Sequence, residues 1–546
     1  MVVTGAMLAL LVVSINQTVL TTALPRIIGE LGGLGMLSWL FTSYMLTATL
    51  VVPVIGKLSD LYGRKPFIIA GIILFSAASA LSGLSQSMLQ LVLFRGLQGI
   101  GGGMVFANCF AIIGDIFPPA ERGKWQGLTA AIFGLSSVIG PTVGGTITDH
   151  LSWRWVFYVN IPVAVLALIV LWGWFPWVRR RVDQHSIDYL GVTALTVFVV
   201  PLLLALVWAG DLYPWFSAQF ALLLALSGLG LAMFLKVEST TKEPIMPLGL
   251  FRIRPFAVAN MSNFLRGMSM IGVVSFIPLY MQGVLGQSAT NSGIVVMPMM
   301  MGLVVGSTIT GQIVSRTGLY RLPLVIAGGL LCVGLFLLSR MDENTSNAIA
   351  IQNMIITGFG LGIGMPVLNL ALQNSVPYRH LGVASSASPF FFQIGGTLAV
   401  AVSGTLLNTH VRDNLEKGLP PDALAATPPQ LLPLIEDPQT LLNPGMLARL
   451  QGGFQSIGPD GPRLFGEVTE AMRLALSEAL VVVFFLAFVI SLASFAVGFL
   501  MPDVAQRGLV EEPGAARATA SSGFDDGASA ETIARPVGDP LGRRPA

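Results

Sequence analysis

The 546-residue chain is 53% hydrophobic and 11% charged, with a net charge of +2 and a mean hydropathy of +0.75. Soluble domains carry about 25% charged residues, so this chain cannot solvate its own surface in water and belongs in a membrane. The charge balance does not indicate nucleic acid. Without an HExxH, paired CxxC or GxxxxGK[ST] pattern there is no sequence case for a zinc protease or a self-powered ATPase. No metal and no cofactor are expected.

A spanning helix needs about 20 apolar residues. Fourteen such runs follow one another, near 4–24, 38–56, 67–84, 89–113, 126–148, 156–175, 188–208, 217–236, 256–281, 292–314, 322–340, 348–371, 382–407 and 479–500. Met1 enters the first run without a basic stretch or a cleavage site, which predicts a retained helix rather than a signal peptide. Its short leading flank leaves open a true start further upstream. Lys57, Arg64, Lys65, Arg122, Lys124, Arg179, Arg180, Arg181, Lys236 and Arg252 crowd the loops of one side, so both termini are expected in the cytoplasm. Residues 408–477 then fall outside as a hairpin between the last two spans. The tail from 503, rich in Gly, Ala, Ser, Pro and acids, is expected to be disordered.

The first run contains "SINQTVLTTALP", residues 14–25, with Asn16 and Gln17 about halfway along it. Polar side chains at that depth must face a partner, water or a ligand. The loop after the second run, "GKLSDLYGRKP", holds Gly56, Asp60, Gly63, Arg64 and Lys65: glycines for a tight turn, and an acid placed to cap or pair with a neighbouring helix end. In the fourth run, "LFRGLQGIGGG" puts Arg95 inside the hydrocarbon, where it costs about 2.5–3.5 kcal/mol on insertion scales. Gln98 shares its face, and together they point to a cavity-facing guanidinium. The fifth run, "GLSSVIGPTVGGTITD", combines Gly140, Pro141, Gly144 and Gly145 in a kinked helix with one smooth face for close, sliding contact.

In the second half, Asn260, Asn263 and Arg266 follow at helical spacing in the ninth run. Asn369 and Gln373 mark the twelfth run, and "SPFFFQ" places Phe391 and Gln393 at the start of the thirteenth. Amides and aromatic rings together suit amphipathic or apolar cargo. "GQIVSRTGLYR" weakly echoes "GKLSDLYGR" at the matching place, with Ser315 where Asp60 stood, as a diverged parallel repeat would leave.

These motifs, in this order, resemble the major facilitator superfamily over nearly the whole chain. "GKLSDLYGRKP" looks like its loop signature between helices two and three, "RGLQGIGGG" like its helix-four arginine motif, and "GLSSVIGPTVGGTI" like its antiporter motif. "QTVLTTALP", "WRWVFYVNIP" and the count of fourteen are similar to the drug:proton antiporter branch. The resemblance implies an all-α membrane fold of two six-helix bundles, 1–176 and 251–502, with two extra helices within 177–250. It assigns gating to Asp60, Arg64, Gly56, Gly63 and the Gly-Pro helix. The branch carries a membrane aspartate where this chain has Asn16, and asparagine does not titrate. Asp60 and Asp115 are the carboxylates left as proton-coupling candidates.

The expectation is a monomeric efflux transporter in the cell membrane, exporting amphipathic drug-like or lipid-like molecules by alternating access, coupled to protons. Asn16, Gln17, Arg95, Gln98, Asn263, Arg266, Asn369, Phe391 and Gln393 are the candidate cavity lining. The alternatives are a lipid or glycolipid exporter, an uncoupled facilitator, a nutrient symporter and a non-transporting receptor. An intramembrane enzyme would need a nucleophile–base pair at depth, which the runs do not supply.

Overall fold

The computed structural model describes residues 1–32, 36–176, 188–209, 212–287, 289–419, 427–428, 430–442, 444–456 and 460–502. Arg179, Arg180, Arg181, His185 and the tail from 503 lie outside them, as do 420–426 and three shorter pieces of the 408–477 segment. Among the described residues, fourteen helices are long and apolar enough to cross a membrane. They are α1 Val2–Leu31, α2 Leu37–Tyr62, α3 Arg64–Gly83, α4 Met88–Ile116 and α5 Pro119–His150, with α6 Trp155–Trp174. Then come α7 Tyr189–Trp208, α8 Ala218–Thr240, α9 Arg254–Leu279, α10 Ala289–Thr317, α11 Arg321–Leu338, α12 Asn347–Ser375, α13 Leu381–Gly418 and α14 Gly461–Gly498.

The packing repeats. In the first half α2 lies on α4, α1 on α5 and α6, and α3 on α4 and α6. In the second half α10 lies on α12, α9 on α13 and α14, and α11 on α12 and α14. These are the same partnerships shifted by eight helices, as expected of a parallel repeat. Two seams join the bundles, α5 against α10 and α2 against α13, and the repeat relates them to each other. The extra pair, α7 and α8, breaks that relation: α7 packs on α2 and α13 and so covers one seam. Below, the end of the bundles that carries Asp60, Arg64 and Arg122 is called the charged end.

The last two spans are longer than the hydropathy suggested. Both α13 and α14 have 38 residues, which at 1.5 Å per residue is about 57 Å, far beyond a hydrocarbon core of about 30 Å. Leu407, Val411 and Leu415 on α13 recur every fourth residue and meet Leu464, Val468, Met472 and Leu476 of α14 in the second bundle's core. Ile435, from a short helix at Leu432–Glu436, and Leu450 and Phe454, from a helix at Pro444–Gln455, join the same core. The described part of the 408–477 segment is therefore a packed helical hairpin.

Candidate functional site

Three polar layers cross the bundles. The first lies at the charged end. Gly63 turns the chain between α2 and α3 with φ of 92°, a conformation glycine adopts without strain. That turn sets Arg64 beside Asp60 as a buried ion pair. Arg64 also donates to Ser59 Oγ at 2.6 Å and to Asp115 at 2.8 Å, so both proton-coupling candidates hold the same guanidinium.

Asp60 reaches across to the second bundle. It accepts from the backbone N–H of Gly382 at 2.9 Å and of Val383 at 3.1 Å, both in the first turn of α13. A carboxylate there meets the positive end of the helix dipole and satisfies orphan donors. Two glycines make the approach possible: a Cβ on Gly56 would sit 2.2 Å from Ser386 Oγ, and one on Gly382 would sit 2.4 Å from the Gly56 carbonyl.

Arg122 on α5 completes this layer. It donates to Asn374 Oδ1 at 2.7 Å and to the Gly114 carbonyl at 2.7 Å, and Asn374 donates to the Tyr320 hydroxyl at 2.7 Å. The sequence reading had used Arg122 only to orient the chain. It also holds the Phe117 carbonyl at 2.9 Å, and nothing local in the sequence marked it for this role.

The second layer lies at mid-depth and divides between the bundles. In the first, Arg95 is 1% exposed, donates to Asn16 Oδ1 and Gln98 Oε1, each at 2.7 Å, and lies 4.5 Å from the Tyr44 ring centre. Gln17 donates to the Tyr44 hydroxyl at 3.5 Å. All of these partners are neutral, and Asn16 Nδ2 and Gln98 Nε2 have no partner among the described residues.

In the second bundle, Asn263 donates to Ser388 Oγ at 3.0 Å, Ser388 to Asn369 Oδ1 at 2.6 Å, and Asn369 reaches Gln126 of α5 at 3.5 Å. Arg266 donates to the carbonyls of Gly360 and Leu361. Gly364 makes room for it, since a Cβ there would lie 2.1 Å from the guanidinium. Phe391 stacks edge-on against Phe251. No carboxylate pairs with Arg95 or Arg266 among the described residues.

The glycines of α5 split along its length. Cβ atoms on Gly123 and Gly134 would strike α10, 2.1 Å from the Gly311 carbonyl and 2.5 Å from Val304. On Gly140 and Gly144 they would strike α1, 1.9 Å from Thr18 Oγ1 and 2.4 Å from Thr22 Oγ1. The antiporter-like motif thus packs inside its own bundle, while the seam to the other bundle uses glycines nearer the charged end. Gly145 meets nothing, and the Pro141 side chain lies outside the described set.

The third layer is a cleft of about 610 Å³ away from the charged end, between α2, α7, α9 and α13. None of the residues nominated from sequence lines it. Gln393 lies just beneath: Thr49 Oγ1 donates to Gln393 Oε1 at 2.7 Å, joining α2 to α13 about one turn below the cleft wall.

Two repeated six-helix bundles, closed together at one end and parted at the other, define a polytopic membrane transporter. Comparison places it in a family. Residues 6–400 match the model of the Major Facilitator Superfamily, and the chain belongs to that superfamily.

Among curated proteins it is 43% identical over 429 residues to the multidrug transporter protein MdtP of Bacillus subtilis, covering 78% of this chain and 79% of that one. It is 39% identical over 405 residues to multidrug resistance protein 3 of the same organism, covering 74% and 79%. An uncharacterized MFS-type transporter of Mycobacterium tuberculosis is 38% identical over 403 residues, and the match spans 74% of this chain and 58% of that one.

Solved structures share the fold at low identity. The human organic anion transporter MFSD10 superposes with a TM-score of 0.57 at 14% identity, covering 90% of this chain and 98% of that one. The proton:xylose symporter XylE superposes with a TM-score of 0.54 at 15% identity, covering 75% and 88%. The chain is a transporter and not an enzyme.

Proposed function

We propose that this transporter is a secondary exporter, carrying amphipathic drug-like or lipid-like molecules out of the cytoplasm or inner leaflet by alternating access. The charged end faces the cytoplasm, with both termini on that side, and the membrane is the plasma membrane. One observation carries the reading. Asp60 bridges the bundles at the charged end while a cleft parts them at the other, one of the two states that alternating access requires, and the efflux-type relatives supply the direction. The multidrug transporters among its relatives support the same cargo class.

Coupling to protons runs through the Asp60–Arg64–Asp115 cluster. A proton on Asp60 removes its charge, cancels the ion pair with Arg64 and weakens the charge-assisted bonds to the Gly382 and Val383 amides. The two bundles then part on the cytoplasmic side and admit cargo. At mid-depth, Arg95 and Arg266 have neutral partners only, which favours neutral, anionic or lipidic cargo over multivalent cations.

The second reading is an uncoupled facilitator, and Asn16 is the observation that favours it. The two part in proteoliposomes carrying a transported lipophilic dye, with and without an imposed pH gradient. Gradient-driven efflux by the parent that Asp60→Asn abolishes supports coupling. Efflux that ignores the gradient in the parent but follows it in Asn16→Asp identifies the facilitator.

A further inference from the structure

The repeat relates the two seams to each other, but α7 has no counterpart in it and packs on one seam, against α2 and α13. Between α5 and α10 the space is tight at Gly134, midway along α5, which packs against Met300 and Val304. Between α2 and α13 it opens into the cleft, and α7, which has no counterpart in the repeat, stands across the gap. Its charged-end half fills the seam: Ala194, Leu195 and Val199 pack with Phe390 and Ile394, and with Leu50 and Val54 of α2. Its other half leaves room, with Leu203 and Leu206 facing Met45 and Leu46 across the cleft from Ile271 and Val400.

This half of α7 is held in place. Trp208 meets Trp39 of α2 edge-on at 5.4 Å, and Trp215, just beyond α7, donates to Thr405 of α13. The Thr49–Gln393 bond forms the floor. We infer that the cleft under α7 is a binding site for an uncharged, drug-sized amphipathic molecule, with the extra helix as one of its walls.

Three features set the ligand class. A volume of about 610 Å³ falls within the roughly 300–1,000 Å³ of small-molecule sites. The lining has no Lys, Arg, His, Asp or Glu, so an ionic ligand would lose its hydration without a counter-charge. Ser275 and Asn408 are exposed side chains in the lining with no hydrogen bond to another described residue, leaving donors and acceptors for a neutral polar group.

Binding stands on this geometry alone, whereas its role as the last station of cargo rests on the export reading. Gly404 supplies a reporter position: it lines the cleft, and a Cβ there meets nothing within 4 Å. Cys109 and Cys332 are buried and stay in place.

The test is the rate at which N-ethylmaleimide labels Gly404→Cys protein in nanodiscs, with Nile red as the neutral probe and ethidium as the cationic one. Nile red should slow labelling saturably by about tenfold, and ethidium by less than about twofold. Leu206→Trp, which fills the cleft from α7, and Val400→Phe, which fills it from α13, should each remove the protection. Equal protection by both dyes, no protection by either, or protection that survives both filling variants overturns the inference. Export is read separately, as Nile red efflux from proteoliposomes without the reporter cysteine. Protection without any directional flux would leave the site standing and remove the export reading.

Discussion

The two seams between the bundles are equivalent in the repeat and share a glycine contact, but one carries a charge that the other lacks. In the α5–α10 seam Gly123 and Gly311 let the main chains touch, Ser307 reaches the Gly127 carbonyl at 3.5 Å, and Ser315 donates to the Gly311 carbonyl at 2.6 Å. The α2–α13 seam has the matching pair, Gly56 and Gly382, and adds charge: Asp60, at the position matching Ser315, spans the gap to the amides of α13. A glycine contact works by shape and is insensitive to pH. A carboxylate on a helix N-terminus works by charge and is lost when it takes a proton. In the export cycle proposed above, the first seam would serve as a bearing and the second as a latch, and α7 packs on the latch side.

The largest effect on transport, though not on stability, is expected from putting a side chain into the bearing. Gly123→Leu would drive carbon into the Gly311 carbonyl, and overpacking of this kind costs about 1–3 kcal/mol or more. Dye efflux should fall to background while the protein still inserts, and near-parental flux would refute the bearing.

Asp60→Asn comes next. It keeps the shape and removes one member of a buried ion pair, a loss of about 3–5 kcal/mol. Spin labels at the charged ends of α2 and α13 should report a longer distance, with no change across α5 and α10. Equal widening of both seams would mean the two are one mechanical unit.

A smaller effect is expected from Lys57→Met, which breaks the 2.6 Å ion pair between α2 and Glu243 in the stretch after α8. Glu243 is 40% exposed, so the loss should be within about 1 kcal/mol. The measurable consequence is faster proteolysis after α8, with dye efflux reduced about twofold or less.

The smallest lies at the opposite end from the latch. Glu30, beyond the α1 span, pairs with Arg154 and accepts from Trp153 at 2.6 Å. The hydrogen bond from Arg154, then that from Trp153, holds its carboxyl below the usual 4.5. A lowered carboxylate contributes stability above its unfolded value and loses it as pH falls through its folded value. Parent and Glu30→Gln should therefore differ in thermal stability at pH 7, by about 1 kcal/mol or less, and converge on acidification below 4.5. A difference that persists in acid would show that packing, not charge, ties α1 to the turn before α6.

Much of the candidate site was legible before the fold was known, in a particular way. Residues expensive to bury announced themselves: Arg95, Asp60 and Arg64 stand out because hydrocarbon penalises charge, and each proved buried with several partners. Residues whose role depends on a distant partner did not. Arg122 looked like any loop charge until α12 brought Asn374 to it from 252 positions away. Gly123 and Gly134 drew no notice beside the Gly-Pro motif, because nothing local tells which glycine faces another bundle and which faces α1. The cleft was invisible for the same reason, being lined by ordinary leucines, threonines and serines of four helices.

Local chemistry therefore determined the membrane setting, the fourteen spans, the charged latch and the amide at Asn16, since hydropathy and desolvation act residue by residue. Only the tertiary structure decided that a carboxylate bridges one seam beside its glycine contact, and that a helix outside the repeat walls a cleft there. Those features depend on which faces meet across hundreds of residues, and no single residue carries that information.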